Sequence, residues 1–401
     1  DVYKRQTVKA AAPTTCSPRW RDAMTERPSL QAVMRRCLDD YARAQPLDAR
    51  QRQVCRHVLD CRTAALGGLQ LGCDQCGDPA TLYYACRDRH CPRCQRQASA
   101  RWSKRQRAAV LPVTYHHLVF TLPHTLNGWM AVHPRVLYAL LFEAVWSTLG
   151  AFGARRLGGQ MGMVAVLHTW GQNLGRHVHL HCLVPGGALG DDGGWHAARG
   201  AYLFPVRALS RRFRGAFVSR LRARIDAGEL PRLTNSVQVK VVLDQLMQTE
   251  WVVYTKACLE HTETVVEYLA RYSHRIALAD HRLGPVDAHG RVALQYTDYR
   301  DRGRHKVIML DGAELISRFL LHVLPKGFMR IRHYGFLANR CRRQRQAQIR
   351  EAIAGRAEAL DAQPAEQDGT ATPFDGYPCP QCQQGRLRVI GALAPRRLDG
   401  G

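Results

Sequence analysis

The segment GMVAVLHTW-GQNLGR-HVHLHCLV (162–184) holds two strand-like runs joined by a short loop. In the second run, His177, His179 and His181 alternate with apolar residues. Successive side chains of a strand point to opposite faces, so the three imidazoles should share one face of a sheet. The apolar residues between them should pack into the core behind that face. This segment therefore predicts a sheet that carries a row of histidines.

Around this segment, strand-like and helical runs alternate from residue 114 to residue 280. The strand-like runs are 114–123, 162–170, 177–184, 251–256 and 275–279, and the helical runs are 134–150, 205–224 and 262–274. The alternation of strands and helices predicts one α/β or α+β domain with an open sheet. A hairpin with a glycine-containing turn is expected over 291–310, and a basic helical stretch over 312–346.

We divide the chain into consecutive parts on composition and pattern. These are an N-terminal helical segment (1–54), a cysteine-rich segment with a basic helix (55–107), a domain of strands and helices (108–285), a basic C-terminal part of that domain (286–350), and a linker with a CxxC tail (351–401). No run approaches the ~18 apolar residues of a membrane span.

The charge of the chain points to a polyanionic partner. There are 58 Lys and Arg against 33 Asp and Glu, a net charge of +25. Arginine, which dominates the excess, pairs well with phosphate. An anionic membrane surface is the weaker candidate, because no basic amphipathic helix or lipidation signal is evident. The sequence therefore predicts a cytoplasmic, nucleoid-associated protein that binds DNA, with no membrane partner and no small-molecule cofactor.

Fourteen cysteines in a chain without a secretion signal indicate metal binding rather than disulfides. Two CxxC knuckles, Cys73–Cys76 and Cys91–Cys94, are separated by 14 residues and together would complete one tetrahedral Zn²⁺ site. Further candidates for a second site or for alternative ligands are Cys61, Cys86 and His90. Four thiolates leave no open position, so this zinc is interpreted as structural. Cys379 and Cys382 supply only half a site.

Basic residues are concentrated around and after the second knuckle. From Cys86 to Arg107 there are 8 Arg or Lys and a single Asp. The candidate phosphate contacts in this stretch are Arg87, Arg89, Arg93 and Arg96. Residues 301–350 are also basic, with 12 Lys or Arg against three acids.

The histidine row makes a preorganised half-site for a divalent ion. His179 and His181 supply two neutral imidazoles, and a third ligand would leave open positions for phosphodiester oxygens. His177 or Gln172 could be that third ligand, or His177 could contact DNA. A single buried histidine is more often structural than a ligand. Three on one strand face are harder to explain in that way, since each would need a hydrogen-bond partner.

Tyr268 and Tyr272 lie four residues apart, on one face of a predicted helix. By itself this spacing is more typical of an aromatic pair in a core. A metal that activates a phosphodiester needs a nucleophile, however, and no serine or carboxylate constellation is evident. A phenol oxygen can attack phosphorus and form a 5′-phosphotyrosine. Arg271 and Arg275 are placed in sequence to hold phosphates nearby.

The order of these motifs resembles the rolling-circle insertion-sequence transposases of the HUH two-tyrosine type. The resemblance covers residues 55 to about 340 and rests on CRTAALGG (61–68), CDQCG (73–77), CRDRHCPRCQ (86–95), WGQNLGRHVHLHCLVPGGAL (170–189), WVVYTK (251–256), VVEYLARYSHRIALADHRL (265–283) and LLHVLPKGFMRIRHYGFLAN (320–339). Two positions depart from the family pattern: Leu69 stands where a histidine is usual, and Val178 where a proline is frequent.

The resemblance implies that residues 108–285 form a catalytic domain with a ferredoxin-like nuclease core, which is an α+β fold with an open antiparallel sheet and helices. It implies that residues 55–107 form an N-terminal zinc-binding domain. It implies that His179 and His181 bind Mg²⁺ or Mn²⁺, and that Tyr268 and Tyr272 are the two nucleophiles, one for the donor cut and one for the target strand. It also implies single-stranded element ends and target DNA as substrates. A rolling-circle replication initiator or relaxase would use the same chemistry. A non-catalytic zinc-dependent regulator would leave the histidines and tyrosines unexplained, and a metallohydrolase for small molecules would not explain the charge.

Overall fold

The computed structural model describes residues 28–95, 110–198, 203–258, 277–299, 301–357 and 376–396. The strands, numbered in chain order, are β1 Gly68–Cys73, β2 Pro79–Tyr83, β3 Tyr115–Thr121, β4 Gly159–Gln160, β5 Gly162–Trp170, β6 Arg176–Pro185, β7 Gly187–Gly190, β8 Trp195–Ala197, β9 Val253–Cys258, β10 Leu283–Val286, β11 Arg291–Asp298, β12 Arg304–Asp311, β13 Ile331–Gly335, β14 Tyr377–Pro378 and β15 Arg386–Leu393. The α-helices are α1 Leu30–Ala44, α2 Ala49–Asp60, α3 Asn127–Val132, α4 Pro134–Leu157, α5 Val206–Asp226, α6 Ser236–Gln248, α7 Gly312–Leu320 and α8 Arg342–Ala357.

The chain folds into two compact units that interleave in sequence. Among the described residues, the N-terminal unit takes 28–95, 278–299, 301–323 and 376–396, and the central unit takes 110–198, 203–258, 277 and 324–357. This division differs from the consecutive segments expected from composition. The hairpin β11–β12 and helix α7 lie with the N-terminal unit, and the chain returns to the central unit at β13.

The central unit is built on a five-stranded antiparallel sheet of order β13-β5-β6-β3-β9. One face carries alternate apolar residues of β5 and β6, and these are buried in the main core with side chains of α4 and α5. They are Met163, Ala165, Leu167, Val178, Leu180, Cys182 and Val184. The prediction of an α+β fold with an open antiparallel sheet and helices is confirmed.

Helix α4 is the central helix of that core. Pro134 stands in its first turn, where a missing N–H costs nothing, and Gly158 ends it with φ 63°. The predicted end at Gly150 is wrong. Beyond it, Phe152 and Leu157 still pack against the core, and this burial outweighs the ~1 kcal/mol propensity cost of a glycine in a helix.

By length and composition, α4 is also apolar enough to cross a membrane, the one such helix among the described residues. The expectation that no run approaches a membrane span was therefore too strong. Core helices pass the same test. Ten of the helix's residues are buried, among them Leu137, Leu141 and Val145 in the main core. This burial identifies α4 as a core helix of the central unit.

The expected helical stretch over 312–346 is only partly correct. Helix α7 ends at Leu320, and residues 331–335 form β13, which pairs with β5 along the edge of the sheet. The backbone groups along the edge of β5 need hydrogen-bond partners, and residues 331–335 supply them by pairing as a strand. Helical structure therefore resumes only at α8. The predicted basic helix over 205–224 is confirmed as α5.

The N-terminal unit contains two sheets and three helices among its described residues. Helix α1 packs against α7. Helix α2 begins with a capping box between Asp48 and Gln51. The strands of one sheet run in the order β14-β15-β1-β2, and those of the other in the order β10-β11-β12. The C-terminal residues 376–396 thus contribute strands to the N-terminal unit, where a linker and isolated tail had been expected.

Candidate metal centres

A cluster of three histidines lies on the face of the central sheet opposite the main core. His168 on β5 is directly opposite His179 on β6, and His181 follows two residues along β6. Their ligand atoms all lie within 4.8 Å of one another. The rings of His168 and His181 are in edge-to-face contact, with 4.4 Å between centroids. Two rigid neighbouring strands thus hold three imidazoles in one place.

Two further contacts orient these imidazoles. Nδ1 of His179 lies 2.9 Å from the carbonyl oxygen of His177, to which it can donate. Nδ1 of His181 lies 2.9 Å from Nε2 of His117, and these two rings are stacked. A hydrogen bond at one ring nitrogen fixes the tautomer and directs the other nitrogen, Nε2, towards an ion. The arrangement is typical of the outer contacts of metal-binding histidines.

Desolvation holds two histidines of this face, His179 and His117, in their neutral form. Burial lowers the pKa of His179 to about 3, and the charge of the nearby His177 lowers it to a smaller extent. Burial lowers the pKa of His117 to about 4, and the positive charge of Lys256 adds a smaller effect in the same direction. Neutral imidazole is the form that coordinates metals. Proton competition for His179 is therefore weak at neutral pH.

The donor set fits a divalent transition-metal ion. Three protein ligands leave coordination positions open, as catalytic metal sites require. Imidazole nitrogen suits transition metals, whereas Mg²⁺ prefers oxygen ligands and keeps its waters. Of the two ions expected from the sequence, Mn²⁺ fits this set better than Mg²⁺.

The structure places His177 beside the cluster rather than in it. As predicted, Val178 and Leu180 are buried in the core, while the three histidines of β6 are only partly buried. The ring of His177 contacts His124, with 5.5 Å between centroids, and His179. The third member of the cluster is His168, which the sequence reading missed. The sequence feature that could have identified His168 is the alternation of β5. Met163, Ala165 and Leu167 face the core, so His168 faces the other side of the sheet.

Strand β9 adds two side chains to the same face. Tyr254 pairs with Val119, which pairs with His181, and Lys256 pairs with His117. Paired residues lie on one face, so Lys256 brings positive charge to the row of histidines. Tyr254 is 52% exposed, and its ring meets His117 edge-on. An exposed aromatic ring beside a cation is a combination that binds single-stranded nucleic acid.

The predicted nucleophiles, Tyr268 and Tyr272, lie outside the described residues, as do Arg96, Arg271 and Arg275. Of the other candidate DNA contacts, Arg87 is exposed, whereas Arg89 and Arg93 are partly buried. Burial lowers the pKa of the Arg89 guanidinium.

In the N-terminal unit eight of the described cysteines form two clusters, each with four Sγ atoms within 4.8 Å of one another. The first is Cys61, Cys86, Cys91 and Cys94, and the second is Cys73, Cys76, Cys379 and Cys382. The pairing of the two knuckles Cys73–Cys76 and Cys91–Cys94 in one site is therefore wrong. The hairpin β1–β2 separates them: the first knuckle lies at its turn, and the second follows its open end. A strand of six residues spans roughly 17 Å at ~3.3 Å per step, too far for a shared ion.

His90 belongs to neither cluster. Its Nδ1 and backbone N–H contact Asp88 Oδ1, and Asp88 Oδ2 contacts His57 Nδ1 at 2.8 Å. Burial would raise the pKa of the Asp88 carboxyl, but the hydrogen bonds from His90 and His57 outweigh it and lower that pKa. The contacts of His90 with Asp88 stabilise the loop that carries the cysteines, and the His90 ring lies outside both clusters.

Comparison with known proteins gives the family. Residues 162–345 match the family described as "Putative transposase", and residues 33–122 match "Transposase zinc-binding domain". The chain is 41% identical over 393 residues to "Putative transposase y4qJ" of Sinorhizobium fredii, which covers 92% of this chain and 98% of that protein. It is 29% identical over 307 residues to "Transposase for insertion sequence element IS801" of Pseudomonas savastanoi pv. phaseolicola, covering 74% of this chain and 72% of that protein.

No solved structure matches the chain. The two family matches together take in both units, and the relative from Sinorhizobium fredii matches nearly end to end. The chain belongs to the family of insertion-sequence transposases that carry an N-terminal zinc-binding domain and act on DNA.

Proposed function

We propose that the chain nicks and rejoins single-stranded DNA through tyrosine side chains, with divalent metal assistance, in rolling-circle-type transposition. The observation that carries this proposal is the cluster of His168, His179 and His181 on the open face of the central sheet. A purely DNA-binding protein has no use for a three-ligand metal site. A chain with a net charge of +25 brings that site to a phosphodiester rather than to a neutral small molecule.

His168, His179 and His181 would hold the ion, and His117 with the carbonyl of His177 fixes the orientation of two of them. A divalent ion bound there would supply a Lewis acid for attack on a phosphodiester. Tyr254 stacks with a base of the DNA, and Lys256 contacts a backbone phosphate. The single-stranded DNA therefore lies across the histidine-bearing face of β6, β3 and β9.

Tyr268 and Tyr272 supply the nucleophiles. The phenol of one tyrosine loses its proton, and its oxygen attacks the phosphorus of the target linkage. The bond from phosphorus to the 3′ oxygen breaks, and that oxygen leaves as a 3′ hydroxyl after taking up a proton. The 5′ phosphate stays on the tyrosine as a phosphodiester that conserves the bond energy. A 3′ hydroxyl of another strand then attacks this linkage and releases the tyrosine. Two tyrosines allow one donor cut and one target cut.

A cleavage assay on single-stranded DNA from the element's own end tests the proposal. With Mn²⁺, 3′-labelled DNA should become covalently attached to the protein, and 5′-labelled DNA should be shortened. Tyr268→Phe with Tyr272→Phe should abolish the adduct, as should His179→Ala with His181→Ala. Mn²⁺ should support more product than Mg²⁺ because the donor set is all nitrogen.

Tyr299→Phe and His305→Ala are matched controls. Both residues are exposed and lie in the hairpin β11–β12 of the N-terminal unit or its turn. They should leave the adduct unchanged. Tight DNA binding without an adduct under any divalent metal would contradict the proposal and favour a non-catalytic regulator.

A further inference from the structure

We propose that Cys73, Cys76, Cys379 and Cys382 bind a second structural Zn²⁺, which fastens the C-terminal hairpin β14–β15 to the N-terminal zinc-binding domain. The matched zinc-binding domain covers residues 33–122 and so contains only the first two of these ligands. The other two lie about 300 residues later in the chain. Neither half is a complete site on its own.

The sheet brings the two halves together. Strand β15 pairs with β1 over the full length of β1, from Gly68 opposite Leu393 to Cys73 opposite Leu387. Strand β14 pairs in turn with β15, and β2 with β1. The connections β1–β2 and β14–β15 therefore lie at the same end of one sheet. Each connection carries one CxxC knuckle.

The two knuckles have the same backbone geometry. Gly77 N–H donates to the Cys73 carbonyl at 3.0 Å, and Gln383 N–H donates to the Cys379 carbonyl at 3.0 Å. The residue after each second cysteine has a left-handed backbone, with φ 74° at Gly77 and 57° at Gln383. In a non-glycine residue this conformation is uncommon, so the structure around Gln383 must hold the turn in it.

Backbone N–H groups also point at the sulfurs. Cys76 N–H approaches Cys73 Sγ at 3.5 Å, and Gly385 N–H approaches Cys382 Sγ at 3.3 Å. A thiolate accepts such bonds better than a thiol does, because its negative charge strengthens them. Paired turns with N–H groups directed at sulfur are what a tetrahedral thiolate site needs around it.

The sulfur separations fit one tetrahedral ion. Cys73 Sγ lies 3.7 Å from Cys382 Sγ, and Cys76 Sγ lies 3.8 Å from Cys379 Sγ. Four sulfurs at the usual ~2.3 Å from Zn²⁺ in a tetrahedron are about 3.8 Å apart. A disulfide would bring two sulfurs to about 2.05 Å. Both short distances join a sulfur of one knuckle to a sulfur of the other, as an ion shared by the two knuckles requires.

Contacts beyond the sulfurs support the same arrangement. Asp74 Oδ1 accepts a hydrogen bond from Arg386 N at 2.7 Å, and Asp74 Oδ2 contacts Arg388 Nε at 3.2 Å. A Cβ at Gly385 would collide with Cys73 Sγ, so only glycine lets the C-terminal turn come this close. Residues 376–396 thus complete the sheet β14-β15-β1-β2 of the N-terminal unit.

Native mass spectrometry of the full-length protein measures the number of bound ions. Every protein compared carries His179→Ala with His181→Ala, so that the histidine cluster contributes no ion to the count. The protein with wild-type cysteines should carry two Zn²⁺. Cys379→Ser with Cys382→Ser should carry one, and so should Cys73→Ser with Cys76→Ser. Combining these two pairs should still leave one, because all four residues share an ion. Combining Cys379→Ser and Cys382→Ser with Cys91→Ser and Cys94→Ser should leave none.

Two further variants separate ligation from folding. Cys382→His keeps a zinc-binding donor set and should retain two ions, whereas Cys382→Ser should retain one. Cys341→Ser changes a cysteine outside both clusters and should retain two. Two zinc ions in the variant without Cys379 and Cys382 would overturn the proposal. One ion in the protein with wild-type cysteines, or iron in place of zinc, would overturn it equally.

Discussion

The two units hold their candidate metal ligands in different ways. In the N-terminal unit the ligands are thiolates from turns and helix ends, and each cluster has four of them. In the central unit the ligands are imidazoles from two adjacent strands, and the described cluster has three. Four ligands close a tetrahedral ion to other molecules, whereas three leave it open. Under the proposed function, zinc in the N-terminal unit would serve folding and an ion in the central unit would serve chemistry.

Loss of one ligand from each unit should produce opposite phenotypes, and this is the largest expected effect. His179→Ala should reduce nicking by about 1,000-fold, since a Lewis acid contributes several kcal/mol at 1.36 kcal/mol per decade. Its melting temperature should change little. Cys91→Ser should release an ion and unfold the N-terminal unit, because structural zinc supplies folding free energy.

Cleavage rates, zinc content and thermal melts measured on the same preparations check this contrast. Unfolding of the central unit by His179→Ala would contradict a chemical role for the histidine cluster. A Cys91→Ser variant that keeps both ions and its melting temperature would contradict a structural role for Cys91.

The second prediction tests which histidine is the third metal ligand by comparing His168 with His177. His168→Ala should weaken the apparent affinity for Mn²⁺ by about 100-fold, because it removes one of three ligands. His177→Ala should weaken it by less than about 5-fold, because the ring lies outside the cluster and its backbone carbonyl is retained. Nicking rates measured over a Mn²⁺ titration give both values. The reverse order would make His177 the third ligand.

The third prediction concerns His117, which contacts His181 from the neighbouring strand. His117→Phe should reduce the affinity for Mn²⁺ by about 10-fold, in the range found for residues that orient metal ligands. His117→Gln keeps a polar group near Nδ1 of His181 and should lose less. Equal losses in both variants would show that the ring fills space and does not orient His181.

The smallest expected effect is on stability in the N-terminal unit. Gly385→Ala places a methyl group against Cys73 Sγ and should lower the free energy of unfolding of this unit by about 1–3 kcal/mol. Gly150→Ala is the matched control in α4, where an added Cβ has nothing within 4 Å. It should be neutral or stabilise the protein by up to ~1 kcal/mol. Chemical denaturation followed by circular dichroism measures both changes.

The same contrast explains what the sequence could predict. Local patterns were reliable: strict alternation placed Val178 and Leu180 in the core and the β6 histidines on the opposite face, and each CxxC pair does form a turn. Long-range pairing was not accessible from one sequence. The third histidine depends on the register between β5 and β6, which aligns His168 with His179.

The cysteine clusters show the same limit more clearly. Spacing suggested that neighbouring knuckles share an ion, but the hairpin β1–β2 holds them at opposite ends. The true neighbour of Cys73–Cys76 comes from β14–β15, and nothing in the local sequence specifies that sheet pairing. Similarly, β13 has helix-forming neighbours and becomes a strand because β5 offers it an open edge.

The most direct test of the central claim is to map the covalent adduct by mass spectrometry. The full-length protein is incubated with single-stranded DNA from the element's end and Mn²⁺, then digested with nuclease and trypsin. Cleavage after Lys256, Arg271 and Arg275 separates Tyr268, in peptide 257–271, from Tyr272, in peptide 272–275. The account predicts a nucleotide on one or both peptides, and none after His179→Ala with His181→Ala. A nucleotide on any other peptide, or an adduct that persists without the histidines, would contradict it.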